Sequence, residues 1–499
     1  MKKFTKVFAT ALLLVFVLSV CVACTPVNPD NNGNNGDGKD SFYALDVYGI
    51  NDLHGKFEDT EGDNAQPGVD ELSTYLKMME STQNTIFLSS GDMWQGSCES
   101  GLTKGNIITD WMNSMGFASM TLGNHEFDWG TSPISANIEI AEFPILAINV
   151  FDRQTNQRLE GCQASTVIDK GDVQIGIIGA IGDCYSSIAA DKKASVYFKV
   201  DSELTALVET EAKRLRQEEG VDFVILSLHD GAEQSTSSEK TITDNKLQTY
   251  YDPALSNGVI DLVFEGHTHQ NYILKDSKGV YHLQGGGDNN YGITHAKVMF
   301  NLKDGSVRVT QANLIKNTIY QNLDDDAIVS TLIEKYSDVL STMNDTLGQN
   351  AMYQDSDDLS YTVAQLYYNA GYAKWGTQYQ IVLAGGDIKV RSPYKLSSGA
   401  ITYAKLYMLF PFDNEIVLCS ISGKDLKSRY LENGEYVIYV SAYGETVRNN
   451  IDNNRTYYII TDTWNSGHES NKLTVIDYLA ECVYARDLLA EYASNGGFE

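Results

Sequence analysis

The chain has 499 residues, with 37 Lys and Arg against 66 Asp and Glu, for a formal net charge of −29. That balance argues against nucleic-acid polymers and anionic membrane surfaces as main partners. The length allows two domains with sizeable cores, and an acidic protein that acts on an anionic substrate needs local positive charge, which bound metal ions would supply.

Lys2 and Lys3 precede an apolar run over about residues 7–22, too short and wrongly flanked for a stable membrane span. The run ends Val22-Ala23-Cys24, which resembles a bacterial lipobox, with Cys21 where an aliphatic residue is usual. Residues 1–24 are therefore expected to be a lipoprotein signal peptide, with lipid on Cys24 as the membrane anchor; ordinary secretory cleavage and release is the alternative. Residues 25–40 are rich in Asn, Gly, Asp and Pro and read as a flexible tether. Of seven cysteines, Cys98, Cys162, Cys184, Cys419 and Cys482 remain beyond this leader, scattered and without CxxC spacing. They are expected to be mostly buried thiols, with no disulfide framework and no thiolate metal site.

From residue 41, strands and helices alternate. Residues 43–50 predict a strand that runs into Asn51-Asp52-Leu53-His54-Gly55. Leu72, Tyr75, Leu76 and Met79 make a helical stripe, and residues 85–88 a buried strand that ends at Ser90-Gly91-Asp92. Ile107, Ile108, Trp111, Met112 and Met115 form the next stripe. Strands are expected over 143–150, 173–178, 223–228 and 260–264; Leu204, Leu207, Val208 and Leu215 share a helix face stopped by Gly220. Residues 281–315 have a period nearer two, with Gly285-Gly286-Gly287 as a turn. Such a sequence makes a layered α/β domain, and its polar motifs fall where strands end, the usual ligand rim of an open α/β sheet. Ile328, Leu332, Ile333, Tyr336, Val339, Leu340 and Met343 mark the apolar face of a long helix expected to bridge two domains. From about Asp345 a second α/β unit follows.

Five of the eight histidines sit in four polar motifs, each after an apolar run: the Asp52–His54 segment, Gly123-Asn124-His125-Glu126, Ser227-Leu228-His229-Asp230 and Gly266-His267-Thr268-His269. Taken singly, each reads as a turn, a loop or a hydrogen-bonded strand end; their order and spacing together read as a metal site. Asp52 and His54, two apart, can grip one cation. Asn124 offers an amide oxygen, and His229, His267 and His269 add imidazoles. Asp92 can bridge two cations. Nitrogen and oxygen donors of this kind suit a pair of divalent ions, Zn, Mn or Fe. Two such ions about 3.5–4 Å apart can clamp the attacking and leaving oxygens of an in-line displacement. His125 is expected to point away from the ions, oriented by Asp128 and serving the leaving group. Glu126 is expected to be structural. His282, His295 and His468 receive no role, although His468 could line the cleft.

These motifs, with Gly91-Asp92-Met93-Trp94-Gln95-Gly96-Ser97 and Leu122 to Gly130 around them, resemble the calcineurin-like metallophosphoesterases, in their secreted 5′-nucleotidase and UDP-sugar hydrolase branch. The resemblance is close over residues 48–269 and looser beyond. It implies a four-layer α/β/β/α catalytic domain and a C-terminal α/β substrate-binding domain, partitioned here as 41–322, a linking helix over 323–344, and 345–499. It also implies one metal on Asp52, His54, Asp92 and His269, a second on Asp92, Asn124, His229 and His267, a metal-activated hydroxide as nucleophile, and His125 with Asp128 as the catalytic pair.

In the C-terminal domain the family pattern has an Asn before a glycine triplet and an Arg after an Ile; here Ala384, Asp387 and Lys389 hold those positions, with Arg391 two further on. Lys lacks the bidentate fork of Arg, so Arg391 is a candidate substitute. Phe412, in Pro411-Phe412-Asp413-Asn414, matches one family aromatic that sandwiches the base, Trp464 is the candidate second, and Asn414 is a further substrate-binding candidate. Gly467-His468-Glu469-Ser470 replaces the family Gly-Gly-Asp-Gly. The expected function is an extracytoplasmic phosphohydrolase that releases phosphate from nucleotides. The alternatives are a 2′,3′-cyclic-nucleotide phosphodiesterase with 3′-nucleotidase action, a UDP-sugar hydrolase, a broad phosphomonoesterase and, remotely, an inactive substrate-binding lipoprotein.

Overall fold

The computed structural model describes residues 41–59, 67–82, 84–232, 259–276, 278–287, 292–391, 394–432 and 434–498. The leader and tether expected over 1–24 and 25–40 lie outside the described residues. Among the described residues no helix is long and apolar enough to cross a membrane.

Two six-stranded sheets form the N-terminal domain. The first runs in the order Val307–Lys316, Gly292–Asn301, Phe42–Ile50, Thr85–Ser89, Phe117–Thr121 and Ile145–Leu146, its last four strands parallel. The second runs Asn271–Lys275, Tyr281–Gly285, Leu262–Glu265, Phe223–His229, Gln174–Ile181 and Ser165–Asp169, its middle four parallel. Side chains alternate across each strand. Leu45, Val47, Ile86, Leu88, Ile175, Ile177, Phe223 and Ile225 fill the space between the sheets. The intervening Tyr48, Ile50 and Phe87 face Leu72, Leu76, Ile108 and Trp111 from helices Asp70–Thr82 and Asn106–Ser114. On the far side Ile178, Val224 and Leu226 meet Leu204 and Val208 of helix Asp201–Arg214. The layers are therefore helix, sheet, sheet, helix.

A five-stranded sheet, ordered Val437–Val440, Ile381–Gly386, Thr456–Asp462, Ile416–Ser422 and Thr474–Tyr478, organises the C-terminal domain. Helices Ser356–Trp375 and Ala485–Ser494 bury Leu359, Val363, Tyr367 and Leu489 against one face. The domains touch through Lys104 Nζ to Asp413 Oδ2 (2.7 Å) and Arg391 Nη1 to Gln95 Oε1 (3.1 Å), and Ala404 N ties the second domain to Met343 O of the linking segment (2.9 Å).

Two expected elements are broken. The linking helix is two pieces, Ala327–Lys335 and Ser337–Leu340, because Tyr336 leaves helical backbone (φ −100°, ψ 13°) and its hydroxyl donates to Asp110 at 2.5 Å. Apolar packing continues across the break through Leu332 and Leu340, but Val339, assigned to the apolar face, is 48% exposed. The strand expected over 143–150 is split into Ile145–Leu146 and Val150–Asp152. Buried Asn149 turns the chain there: its Nδ2 donates to Ile181 O (2.7 Å) and Lys199 O (2.9 Å), and the second piece pairs with Val196–Phe198. The five described cysteines are free thiols, all buried except Cys482.

Helix Asp70–Thr82 opens on two acids, Asp70 and Glu71, which the helix dipole favours in ionised form. Burial, and then the Asp59 and Asp325 carboxylates, outweigh it and push Glu71 up to about 7. A raised acid stabilises the fold below its unfolded value and loses that contribution as pH rises through its folded one. Glu71→Gln should therefore raise Tm at pH 8 by about 2 °C or more and leave Tm at pH 4 almost unchanged. Equal shifts at both pH values in thermal melts would contradict this electrostatic account.

Candidate active site

The carboxyl ends of Phe42–Ile50, Thr85–Ser89, Phe117–Thr121, Phe223–His229 and Leu262–Glu265 share one rim, and each leads into a polar motif. Hydrogen bonds stitch the two sheets together there: Ser227 Oγ to Ser89 O (3.0 Å) and Thr121 Oγ1 to Ser227 Oγ (2.8 Å). Beyond the strands the chain turns sharply. Ten described non-glycine residues have positive φ, and five of them are proposed ligands: Asp52 (50°), His54 (51°), Asp92 (54°), His267 (71°) and His269 (54°). Each such residue costs roughly 1–3 kcal/mol and persists only where its surroundings fix it. Backbone bonds zip the first motif to the second: Asp52 N to Gly91 O (3.0 Å), His54 N to Asp92 O (3.0 Å) and Gly55 N to Met93 O (2.8 Å).

The side chains converge in two groups. Ligand atoms of Asp52, His54 and His269 lie within 4.8 Å of one another, and so do those of Asp92, His229 and His267. Asn124 Oδ1 lies 3.1 Å from His229 Nε2, and Asp92 Oδ2 is also 3.1 Å from it. The donor set fits divalent cations on a structural ground. Backbone carbonyls of Gln95 and Ser90 sit at Nδ1 of His54 (3.0 Å) and His229 (2.7 Å). Each carbonyl requires a proton on that Nδ1, which leaves a bare lone pair on Nε2 for a metal. Burial opposes ionisation of Asp92, yet positive charge around it holds its carboxyl well below the usual range: without metal ions that charge comes from a second proton on His229 and on His125 and His54, and bound cations would supply it in their place.

His125 lies beside this cluster. Its Nδ1 is 2.7 Å from Asp128 Oδ2, and its ring stacks under Phe412 at 5.9 Å between centroids. Burial would lower the imidazole, but the charges of Asp128 and then Asp92 raise it.

Fully buried Glu126 accepts four backbone N–H groups, from Asp92 (2.9 Å), Met93 (2.8 Å), Trp94 (3.2 Å) and Gly123 (2.6 Å). It thereby locks the Asp92 loop to the Asn124 loop. Two glycines make the rest of the close packing possible. A Cβ on Gly123 would meet Asp92 Oδ1 at 2.2 Å, and one on Gly287 would meet His269 Cγ at 2.6 Å. The glycine run 285–287 is thus more than a turn, since it forms a wall of the site. Its position directly after a buried strand is the sequence signal that could have shown this.

The C-terminal candidates divide between two cavities. Ile381–Gly386 and Thr456–Asp462 are parallel neighbours, so Lys389 and Trp464 emerge side by side. With Phe412, Asn414, His125 and Asp128 they line a cavity of about 240 Å³. Lys389 is paired with Asp387 at 3.0 Å. Trp464 meets His468 edge-on at 4.4 Å. Phe412 is held through its neighbour Asp413, which pairs with buried Arg486, while Arg486 Nη1 donates to Phe412 O at 3.0 Å. Arg391 lines a second cavity instead, about 700 Å³, with His54, Ser97, Lys395 and Lys405. Gln95, unassigned by the sequence reading, joins the two regions by bonding Arg391 and Pro411 O (3.3 Å).

Residues 45–271 match the family described as calcineurin-like phosphoesterase, and residues 339–455 match the 5′-nucleotidase C-terminal domain. An apyrase from Tabanus yao is 33% identical over 237 residues, 46% of this chain and 39% of the apyrase, so the chain spans about two fifths of that relative's length. Protein UshA of Yersinia enterocolitica is 22% identical over 492 residues, covering 86% of each. The crystal structure of a 5′-nucleotidase precursor from Thermus thermophilus superposes with a TM-score of 0.63 at 18% identity, covering 91% of this chain and 96% of that one. It shares the fold.

The Glu126 clamp yields a test. Glu126→Ala strands four buried N–H groups and should destabilise the protein by about 3 kcal/mol or more in urea unfolding. A loss under about 1 kcal/mol would contradict the clamp.

Proposed function

The chain is a calcineurin-like phosphoesterase that carries a 5′-nucleotidase C-terminal domain, and on that premise we propose that it is an extracytoplasmic, two-metal phosphohydrolase that releases phosphate from nucleotides. The observation that carries this reading is the convergence of two ligand groups beside His125, whose ring lies 5.1 Å from that of His54 and which, with Asp128, lines the cavity that Phe412 and Trp464 share. Asp52, His54, Asp92 and His269 would hold one divalent ion, and Asp92, Asn124, His229 and His267 the other. Such ions supply Lewis-acid charge to phosphoryl oxygens and make a nucleophile available at neutral pH. Phe412 and Trp464 stack the base. Because Phe412 also lies over His125, the stacked nucleoside brings its leaving oxygen towards that imidazole. Asp128 holds the proton on Nδ1, and His125 gives a proton to the departing oxygen or stabilises its charge. Lys389 and Asn414 serve the sugar side of the same cavity, and Arg391 adds positive charge on the His54 side.

Location follows from the leader: the apolar run before Val22-Ala23-Cys24 supports a lipid anchor on Cys24. A second reading rests on the 700 Å³ cavity beside His54 and Arg391. In a UDP-sugar the attacked phosphorus carries an ester substituent besides the leaving phosphate, and that cavity has room for it. An inactive binding protein would be expected to lack part of the ligand set or the His125–Asp128 pair, and all of these residues are present.

His125→Ala should keep its bound metal and lose kcat by roughly 10²–10⁴-fold, whereas Asp92→Asn should lose metal as well. Wild-type turnover in both variants would contradict the mechanism. Phe412→Ala should raise KM for 5′-AMP by roughly tenfold and leave KM for a small aryl phosphate unchanged. A parallel rise for both substrates would remove the stacking role.

A further inference from the structure

We propose that Gln284 is a positioning residue that clamps the loop bearing His267 and His269, and through it sets both candidate metal sites; this rests on the metal-centre reading above. Gln284 lies in strand Tyr281–Gly285 and is fully buried. Its amide makes four hydrogen bonds, two from each end. Nε2 donates to Gly266 O (2.9 Å) and to the Tyr272 hydroxyl (3.0 Å). Oε1 accepts from Thr268 Oγ1 (2.9 Å) and Gln270 N (2.8 Å). Residues 266, 268 and 270 alternate with the two histidines, so one amide grips the loop on either side of each proposed ligand.

The clamp reaches the third histidine too. Tyr272 accepts from Ala232 N (2.9 Å), just past His229, and donates its proton to Glu265. A Cβ on Gly231 would lie 2.1 Å from Gln284 Nε2, so the His229 loop packs directly on the same amide. Behind this group Glu265 Oε1 is 2.5 Å from His282 Nδ1, and His282 faces Asp276 at 3.8 Å, all buried. The polar chain beneath the site thus runs from Asp276 through His282, Glu265 and Tyr272 to Gln284.

His267 and His269 both hold left-handed backbone, at φ 71° and 54°. Non-glycine residues stay in that region only when their neighbours over-determine them. Gln284 provides that determination for this loop, as Glu126 does for the Asp92 loop. A carboxylate could not replace it, since it has no hydrogens for Gly266 O, and Tyr272 already gives its one hydroxyl proton to Glu265.

The test uses the full chain stripped of metal with a chelator, titrated calorimetrically with Mn²⁺, alongside apo-protein melting and kcat as a function of Mn²⁺. Thr268→Val removes one bond to Gln284 from a partly exposed position, Thr268→Ser keeps it, and Gln284→Met removes all four. Thr268→Val and Gln284→Met should weaken Mn²⁺ binding by roughly 10–100-fold, while Thr268→Ser stays within about threefold. Excess Mn²⁺ should restore kcat in Thr268→Val, whose apo melting temperature stays near wild type. Wild-type Mn²⁺ affinity in both Thr268→Val and Gln284→Met would overturn the inference. So would a fall in apo melting temperature with no recovery of kcat at high Mn²⁺, which marks a purely structural role. A wild-type protein that binds none of Mn²⁺, Zn²⁺ and Fe²⁺ would overturn the metal-centre reading itself, and this inference with it.

Discussion

Left-handed backbone at Asp52, His54, Asp92, His267 and His269 is the constraint on which the rest of the site depends. Sharp turns at the strand ends bring side chains from distant parts of the chain into one small volume. The turns are unfavourable in themselves. They are offset by bonds that have no other evident purpose: the Glu126 carboxylate on four N–H groups, the Gln284 amide on the facing loop, and the backbone zipper between residues 52–55 and 91–93. Concentrated strain with dedicated support is the pattern of a site that must hold its geometry before a ligand arrives.

The two sheets make that geometry reachable. Their parallel strands end on a common rim, and the space between them changes character along its length. Away from the rim Leu45, Val47, Ile175 and Ile225 pack it with apolar surface, worth roughly 25 cal/mol for each Å² removed from water. At the rim Ser89, Ser90, Thr121 and Ser227 replace them and bond one another. His229 Nδ1 then reaches Ser90 O across the seam, so one sheet orients a proposed ligand of the other. The C-terminal domain adds the second wall, with Phe412 laid over His125 and its loop fixed by the buried Asp413–Arg486 pair.

Much of this was legible in the sequence because it is local. Strand exits into Asp52–His54, Asp92, Asn124–His125, His229 and His267–His269 follow from apolar runs that stop at polar motifs. The His125–Asp128 pair follows from a spacing of three, which a single helical turn brings together. What the sequence did not show depends on contacts between remote segments. Gln284 is an ordinary strand residue until Gly266, Thr268 and Tyr272 are seen around it. Gly287 is a turn glycine until His269 lies against it. Lys389 and its candidate substitute Arg391, two residues apart, open into different cavities, because Lys389 pairs with Asp387 whereas Arg391 reaches Gln95 of the N-terminal domain. The break at Tyr336 likewise depends on Asp110, from another helix.

The most direct measurement is phosphate release by the metal-loaded chain across 5′-AMP, 3′-AMP, 2′,3′-cyclic AMP, UDP-glucose and a generic aryl phosphate, with a chelator-treated control. The account predicts metal-dependent release with a marked preference for a nucleotide over the aryl phosphate. Protein that holds its metals and releases no phosphate from any of the five would contradict it.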